Sequence, residues 1–230
     1  MCIKVKYLGH SSFILSVNGK NILTDPYFSN DLFCNYKRLI NCSQKITTIP
    51  KIDFILISHE HQDNCDLEAT NYLIKKYQPK IIAHRSVLNK IENSSENNLI
   101  SMDEYESKTI QNIEYIAHPA HHPTSFYPLS YLVKTKEHKI YFAGDTNLTN
   151  EHDKLSADLA FLPIGGRHTM DIGSAIQAVK KIKPKVVIPM QYNTFEDIKV
   201  NINSFKEKLS NLRFSVNPVI LDPGKCFVYR

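Results

Sequence analysis

Four apolar residues, Phe54-Ile55-Leu56-Ile57, run straight into Ser58-His59-Glu60-His61-Gln62-Asp63-Asn64. A short, uninterrupted apolar run reads as a buried strand. The strand delivers two histidines and an aspartate, at alternate positions, into the loop at its end. Imidazole and carboxylate so closely spaced suit zinc or a similar divalent cation. A solvated polar turn would carry the same residues, so the motif gains its weight from what accompanies it.

The rest of the chain supplies a framework around that strand. Ile3 to Leu8 and Phe13 to Val17 read as strands, and Asn18-Gly19 as a two-residue hairpin turn leading to a return strand, Lys20 to Thr24. Residues 27–50 have little periodicity and read as a long loop, with one short helix, that could fold over a site. Leu67, Thr70, Ile74 and Tyr77 fall at helical spacing before Pro79. Lys80 to Ala83 reads as a strand, Ser86 to Glu92 as a helix and Asn93 to Asn98 as a polar turn. Strands are expected in Thr109 to Ala117, Ser130 to Thr135, Lys139 to Ala143, Leu159 to Ile164, Lys185 to Met190, Val216 to Leu221 and Cys226 to Tyr229. Ile172, Ala175, Ile176, Val179 and Ile182 mark one face of a helix closed by Pro184, and Phe205 and Leu209 mark another. Hairpins followed by alternating strand and helix fit an α/β (α+β) architecture: two mixed sheets face to face, with helices outside.

Composition narrows the function classes. At 230 residues the chain is expected to form one domain, residues 1–230. An apolar fraction of 42% and a charged fraction of 22% are those of an ordinary soluble globular protein. The formal net charge of +5 is spread along the whole sequence without a basic run, which disfavours nucleic acid as the partner. Five cysteines (Cys2, Cys34, Cys42, Cys65, Cys226) without a C-x-x-C pair argue against a disulfide framework and for a reducing, cytoplasmic location. No apolar run reaches the length of a membrane span.

Polar residues gather at strand ends: Asp25, the His59–Asp63 loop, His121-His122, Asp145 and Gln191. Strand ends can converge on one rim, where binding groups commonly sit. Asp145, directly after the strand Tyr141-Phe142-Ala143, is costly to bury unless paired or metal-bound, although a helix N-cap would account for it equally.

Taken together these residues resemble the metallo-β-lactamase superfamily. The matching segments are Gly9-His10-Ser11, Thr24-Asp25-Pro26, Ser58 to Asp63, Pro119-Ala120-His121-His122, Ala143-Gly144-Asp145-Thr146, Leu162 to Gly166 with Thr169-Met170, and Ile188 to Tyr192. The likeness is to the branch of small metal-dependent hydrolases that includes ascorbate-6-phosphate lactonase and N-acyl-phosphatidylethanolamine phospholipase D. It implies a four-layer αβ/βα sandwich with the metals on one edge. Carried over, His59, His61 and His122 (with His121 as the alternative) would hold the first metal. Asp145 would bridge two metals, Asp63 would bind the second, and Asp25 would hydrogen-bond the histidine loop.

The sequence departs from that pattern at two positions. The family's H-x-H-x-D-H ends here in Asn64, and its later P-x-H-Y reads Met190-Gln191-Tyr192. Both missing imidazoles belong to the second metal. One zinc is therefore expected, with manganese or another divalent cation as the alternative. Asp63, released from a second metal, would orient or deprotonate the attacking water. Two readings follow: a hydrolase acting on an ester, lactone or phosphodiester of a small molecule, or an inactive, metal-stabilised binding protein. A nuclease ranks behind both. Arg167 and His168, after Gly165-Gly166, would suit an anionic substrate, and His10 could face the site. Tyr27, Phe28 and Phe33 could supply an apolar wall.

Overall fold

A computed structural model describes residues 2–32 and 36–230. Phe33 and Cys34 lie outside the described residues; the other four cysteines are free thiols. The first half of the chain contributes β1 (Ile3–Gly9), β2 (Ser12–Val17), β3 (Lys20–Thr24), a small ribbon of β4 (Asp31–Leu32) and β5 (Tyr36–Lys37), β6 (Phe54–Leu56), α1 (Leu67–Tyr77), β7 (Lys80–Ala83), α2 (Arg85–Leu88) and β8 (Leu99–Ser101). The second half contributes β9 (Ser107–Ile110), β10 (Ile113–Pro119), β11 (Leu129–Lys134), β12 (Lys139–Phe142), β13 (Leu159–Pro163), α3 (Ile172–Ile182), β14 (Val186–Met190), α4 (Ile202–Ser210), β15 (Asn217–Pro218) and β16 (Cys226–Tyr229). One seven-stranded sheet has the order β16-β1-β2-β3-β6-β7-β8, the other β15-β14-β13-β12-β11-β10-β9.

The layers follow from alternation along the strands. Phe54 and Leu56 of β6 join the core between the sheets, whereas Ile55 packs with Leu73 and Ile74 of α1 and Val87 and Leu88 of α2 on the outer face. On the second sheet Ala175, Val179 and Ile182 of α3 and Phe205 and Leu209 of α4 join the core from outside. The result is the four-layer sandwich. The helix ends obey local rules. Asp66 caps α1 by accepting from Ala69 N (3.0 Å), and Asp171 caps α3 by accepting from Ser174 N. Both helices end on a left-handed residue, Gln78 and Lys183, each followed by proline. The hairpin at Asn18-Gly19 has both φ values positive, 51° and 75°.

Some expected elements change. The stretch Thr109 to Ala117 is broken at Gln111 and Asn112, whose φ values of 50° and 63° turn the chain between β9 and β10. The helix expected from Ser86 to Glu92 shrinks to the single turn of α2. The strand expected from Val216 to Leu221 reduces to β15, where Pro218 lacks the N–H that a longer ladder needs. In the segment expected to be a long loop, the buried Arg38 guanidinium donates to the carbonyls of Tyr27 (2.9 Å) and Ile40 (3.1 Å).

Strand direction explains why the polar residues meet. β3 and β6 pair in parallel, as do β12, β13 and β14. Two antiparallel steps separate β1 from β3 and β10 from β12, so those pairs also run the same way. The loops after β1, β3, β6, β10, β12, β13 and β14 therefore leave one edge. There the sheets are stitched together: Leu129 N donates to Ser58 O, and Gln191 N to His10 O, each at 3.0 Å.

Candidate metal centre

His59, His61 and His122 bring one ring nitrogen each to within 4.8 Å of one another. Their ring centroids are 4.5–4.9 Å apart and the planes stand 70–74° to each other, so the rings surround a common point edge-on. His121 is not part of this cage. It is exposed, and its Nδ1 faces the Asn147 amide at 3.2 Å. The alternative ligand is thereby corrected: the turn after Pro119 points His122 inward and His121 outward.

The neighbours decide which nitrogens carry protons. His61 Nε2 lies 3.0 Å from Thr124 O, and His122 Nδ1 lies 2.9 Å from His168 O. A carbonyl only accepts, so each of these nitrogens must donate. The remaining nitrogens, His61 Nδ1 and His122 Nε2, face each other at 3.1 Å, so both present lone pairs only where both rings are neutral. For His59 the partner is Ser58 Oγ, 2.9 Å from Nδ1 and 2.7 Å from Asp25 Oδ2. When the Asp25 carboxyl is ionised, the hydroxyl gives its one proton to it and accepts from His59 Nδ1–H. The remaining atom, His59 Nε2, is buried without a hydrogen-bond partner. Burial, reinforced by the other imidazoles, lowers the pKa of His59 well below the usual histidine value, and burial also lowers that of His122. Burial thus holds His59 and His122 neutral, and together with His61 they bring one ring nitrogen each to a common point. That donor set fits a divalent cation.

Asp25 organises the loop from beneath. It is fully buried, with φ of 32°. Its Oδ1 accepts from Ser58 N (2.7 Å), and its Oδ2 from Ser58 Oγ and from Asn64 Nδ2 (2.9 Å). Burial pushes its carboxyl up to about 8 against the pull of these hydrogen bonds. His10, His168 and Gln191 also hold left-handed φ, between 52° and 58°. Such conformations cost of order 1–3 kcal/mol each and concentrate at functional sites.

Asn64 and Gln191 stand where the resemblance led us to expect imidazoles. Asn64 Nδ2 donates to Asp145 Oδ1 at 3.1 Å, and Gln191 Nε2 donates to Asp145 Oδ2. Asp145 Oδ2 is 3.9 Å from His122 Nε2, and each of its oxygens accepts one hydrogen bond from an amide. Burial and the nearby Asp63 raise the Asp145 carboxyl above its ordinary range. Asp63 itself faces His10, with Nε2 3.3 Å from its Oδ2.

A cleft of about 200 Å³ opens beside the cage, lined by His10, Asp63, Asp145, Gln191, Phe195 and Ile198 among others. Arg167 and His168 also line it, but Arg167 is ion-paired with Asp197 across the rim, and His168 acts on His122 through its backbone carbonyl. The expected aromatic wall is placed differently. Tyr27 is buried under Arg38, Phe28 packs on the outer core, and Phe195 and Ile198 take that role. Ser58, Thr124, Phe195 and Asp197 were not legible as site residues; only Ser58, next to His59, had any local signal. Alanine at position 58 is expected to weaken zinc binding about 10–100-fold, the usual cost of losing an outer partner, measured by chelator competition. Unchanged affinity would show that the Asp25–Ser58–His59 chain does not set the ligand.

Comparison with known proteins agrees with this geometry. The model of the Beta-lactamase superfamily domain matches residues 4–191. A metal-dependent hydrolase from Caldivirga maquilingensis is 32% identical over 226 residues, covering 96% of this chain and 95% of its own. Another, from Nanoarchaeum equitans, is 33% identical over 221 residues, covering 90% and 91%. The solved structure of a metallo hydrolase from Ignicoccus hospitalis superposes with a TM-score of 0.84 at 26% identity, covering 100% of this chain and 99% of that one.

Proposed function

This chain belongs to the β-lactamase superfamily and is one of its metal-dependent hydrolases, and on that footing we propose that it works with a single divalent ion, zinc, held by His59, His61 and His122, on an ester, lactone or phosphodiester of a small molecule. The observation that carries this reading is the convergence of three ring nitrogens whose rings are tied through the other nitrogen to Thr124 O, His168 O and Ser58 Oγ. Three imidazoles favour zinc, with manganese or another divalent cation as the alternative. Bound there, the ion supplies Lewis acidity, bringing the pKa of water toward about 7 and polarising the bond under attack.

The protein's own residues do the rest. Asp63, on the cleft wall, accepts a hydrogen bond from the attacking water and orients it toward the substrate. Asp145, clamped by two amides, keeps a negative charge beside the cage. Phe195 and Ile198 exclude water from one side of the cleft. A volume of about 200 Å³ is below the roughly 300–1,000 Å³ of drug-sized pockets, which favours a small substrate over nucleic acid. Free thiols at Cys2 and Cys226 suit a reducing cytoplasm, and no helix among the described residues is long and apolar enough to cross a membrane.

Zinc-loaded, desalted protein is expected to retain one equivalent by elemental analysis and to hydrolyse some activated ester, lactone or phosphodiester until a chelator is added. The double substitution Asn64→His with Gln191→His is expected to raise the content to two, because it removes the amide donors that occupy Asp145 and adds two imidazoles. Two equivalents in the unaltered protein would refute the single-ion reading, as would silence across a metal-loaded substrate panel for the proposed reaction.

A further inference from the structure

The cleft lining beside the cage carries several acceptors. Asp63, Asp145 and Gln191 line the cleft, and Gln191 is 5% exposed, with its Nε2 spent on Asp145. Its other polar atom, Oε1, is buried without a hydrogen-bond partner. The amide cannot be turned to relieve this, because the carboxylate of Asp145 requires a donor. The guanidinium on the same cleft, Arg167, is neutralised by Asp197. The cleft lining therefore holds two carboxylates and a glutamine whose buried amide oxygen is unused, with Phe195 and Ile198 as its apolar residues. It suits a group that carries several N–H donors, a positive charge and a short apolar stem.

We propose that the Asp63–Gln191–Asp145 wall binds a primary ammonium group of the substrate, next to the bond that is cleaved. A primary ammonium has three donors and no acceptor, which matches Gln191 Oε1 and the two carboxylates. In this chain a protonated amine takes the place that the histidine-to-amide exchanges at positions 64 and 191 withdrew from a second ion. The inference rests on the hydrolase reading only for the word substrate; the ammonium site itself does not need turnover.

The test has two arms on the full, zinc-loaded chain. In the first, ¹⁵N-labelled protein is titrated with ethylammonium chloride, with sodium acetate and ethanol as controls at constant ionic strength. The Gln191 side-chain amide signals are expected to move saturably with ethylammonium and not with the controls, and the affinity is expected to fall at least tenfold in Asp63→Asn. In the second arm, 4-nitrophenyl glycinate is compared with 4-nitrophenyl N-acetylglycinate below the amine's pKa, each corrected for spontaneous hydrolysis. The free amine is expected to be favoured at least tenfold in kcat/KM, with the preference collapsing in Gln191→Met. The proposal is overturned if ethylammonium leaves the signals still, if acetate or added Mg²⁺ moves them instead, or if the acetylated ester is used as well. Saturable ammonium binding with neither ester cleaved would remove simple esters from the substrate class and leave the ammonium site standing. Cleavage without ammonium binding would do the reverse.

Discussion

Asparagine in place of Asp63 is expected to lower kcat about a hundredfold or more while the protein still retains its equivalent of zinc. The two parts of the prediction have separate causes. Asp63 stands outside the three-histidine cage and its Oδ2 is 3.3 Å from His10 Nε2. Burial alone would raise its pKa, but His10 and then His59 outweigh burial and hold the carboxyl below its ordinary range. A depressed pKa means the group is ionised across the whole neutral range and loses its charge only in strong acid. It is therefore always available as an acceptor for water. Asparagine keeps the shape and removes the charge and one acceptor. Loss of a positioned acid–base group typically costs about 10²–10⁴ in rate. Steady-state kinetics and elemental analysis on the same preparation check both parts. Parallel loss of zinc would make Asp63 a ligand, and an unchanged kcat would remove it from the chemistry.

Alanine at Gly144 is expected to destabilise the fold by about 2–5 kcal/mol and to weaken zinc binding as well. Gly144 has φ of 57°, and a Cβ built on it would lie 2.5 Å from Ser58 Cβ and 2.8 Å from Ser58 Oγ. The left-handed backbone costs an L residue about 1–2 kcal/mol, and forcing an extra carbon into a packed interior about 1–3 kcal/mol. The steric part falls on the hydroxyl that links Asp25 to His59, so damage there reaches the metal ligand. Gly19→Ala is the control. Its φ is 75°, but nothing lies within 4 Å of the added carbon. It should show the backbone cost alone and leave zinc affinity unchanged. Equal effects at both positions by denaturant titration, or full zinc affinity in Gly144→Ala, would show that the close approach to Ser58 does not matter.

The elements read correctly from the sequence are those with a local cause. Asn18-Gly19 can adopt two positive φ values, so it turns a hairpin; the helices α1 and α3 carry an aspartate cap, a regular apolar stripe and a closing proline. The misread elements lacked such a cause or had a competing one. Gln111 and Asn112 adopt the same left-handed pair as a hairpin without glycine, and the strand around Pro218 is cut short by a missing donor. Residues 27–50 offer no period in sequence, and what holds Tyr27 and Ile40 together is Arg38 binding their backbone carbonyls, which no pattern announces.

The amino-acid order alone determined that apolar strands would end in polar loops, that His59 and His61 would leave the same strand end, and that positions 64 and 191 would carry amides rather than imidazoles. These are properties of neighbouring residues and of the two-residue repeat of a strand. Tertiary structure decided which of His121 and His122 turns inward, which ring nitrogens keep their lone pairs, and that Arg167 is spent on Asp197. The reason is physical. The groups that choose a tautomer or neutralise a charge here are the carbonyls of Thr124 and His168 and the carboxylate of Asp197. Carbonyls are the same on every residue, and a carboxylate 30 positions away from Arg167 acquires meaning only when parallel strands bring both to one edge.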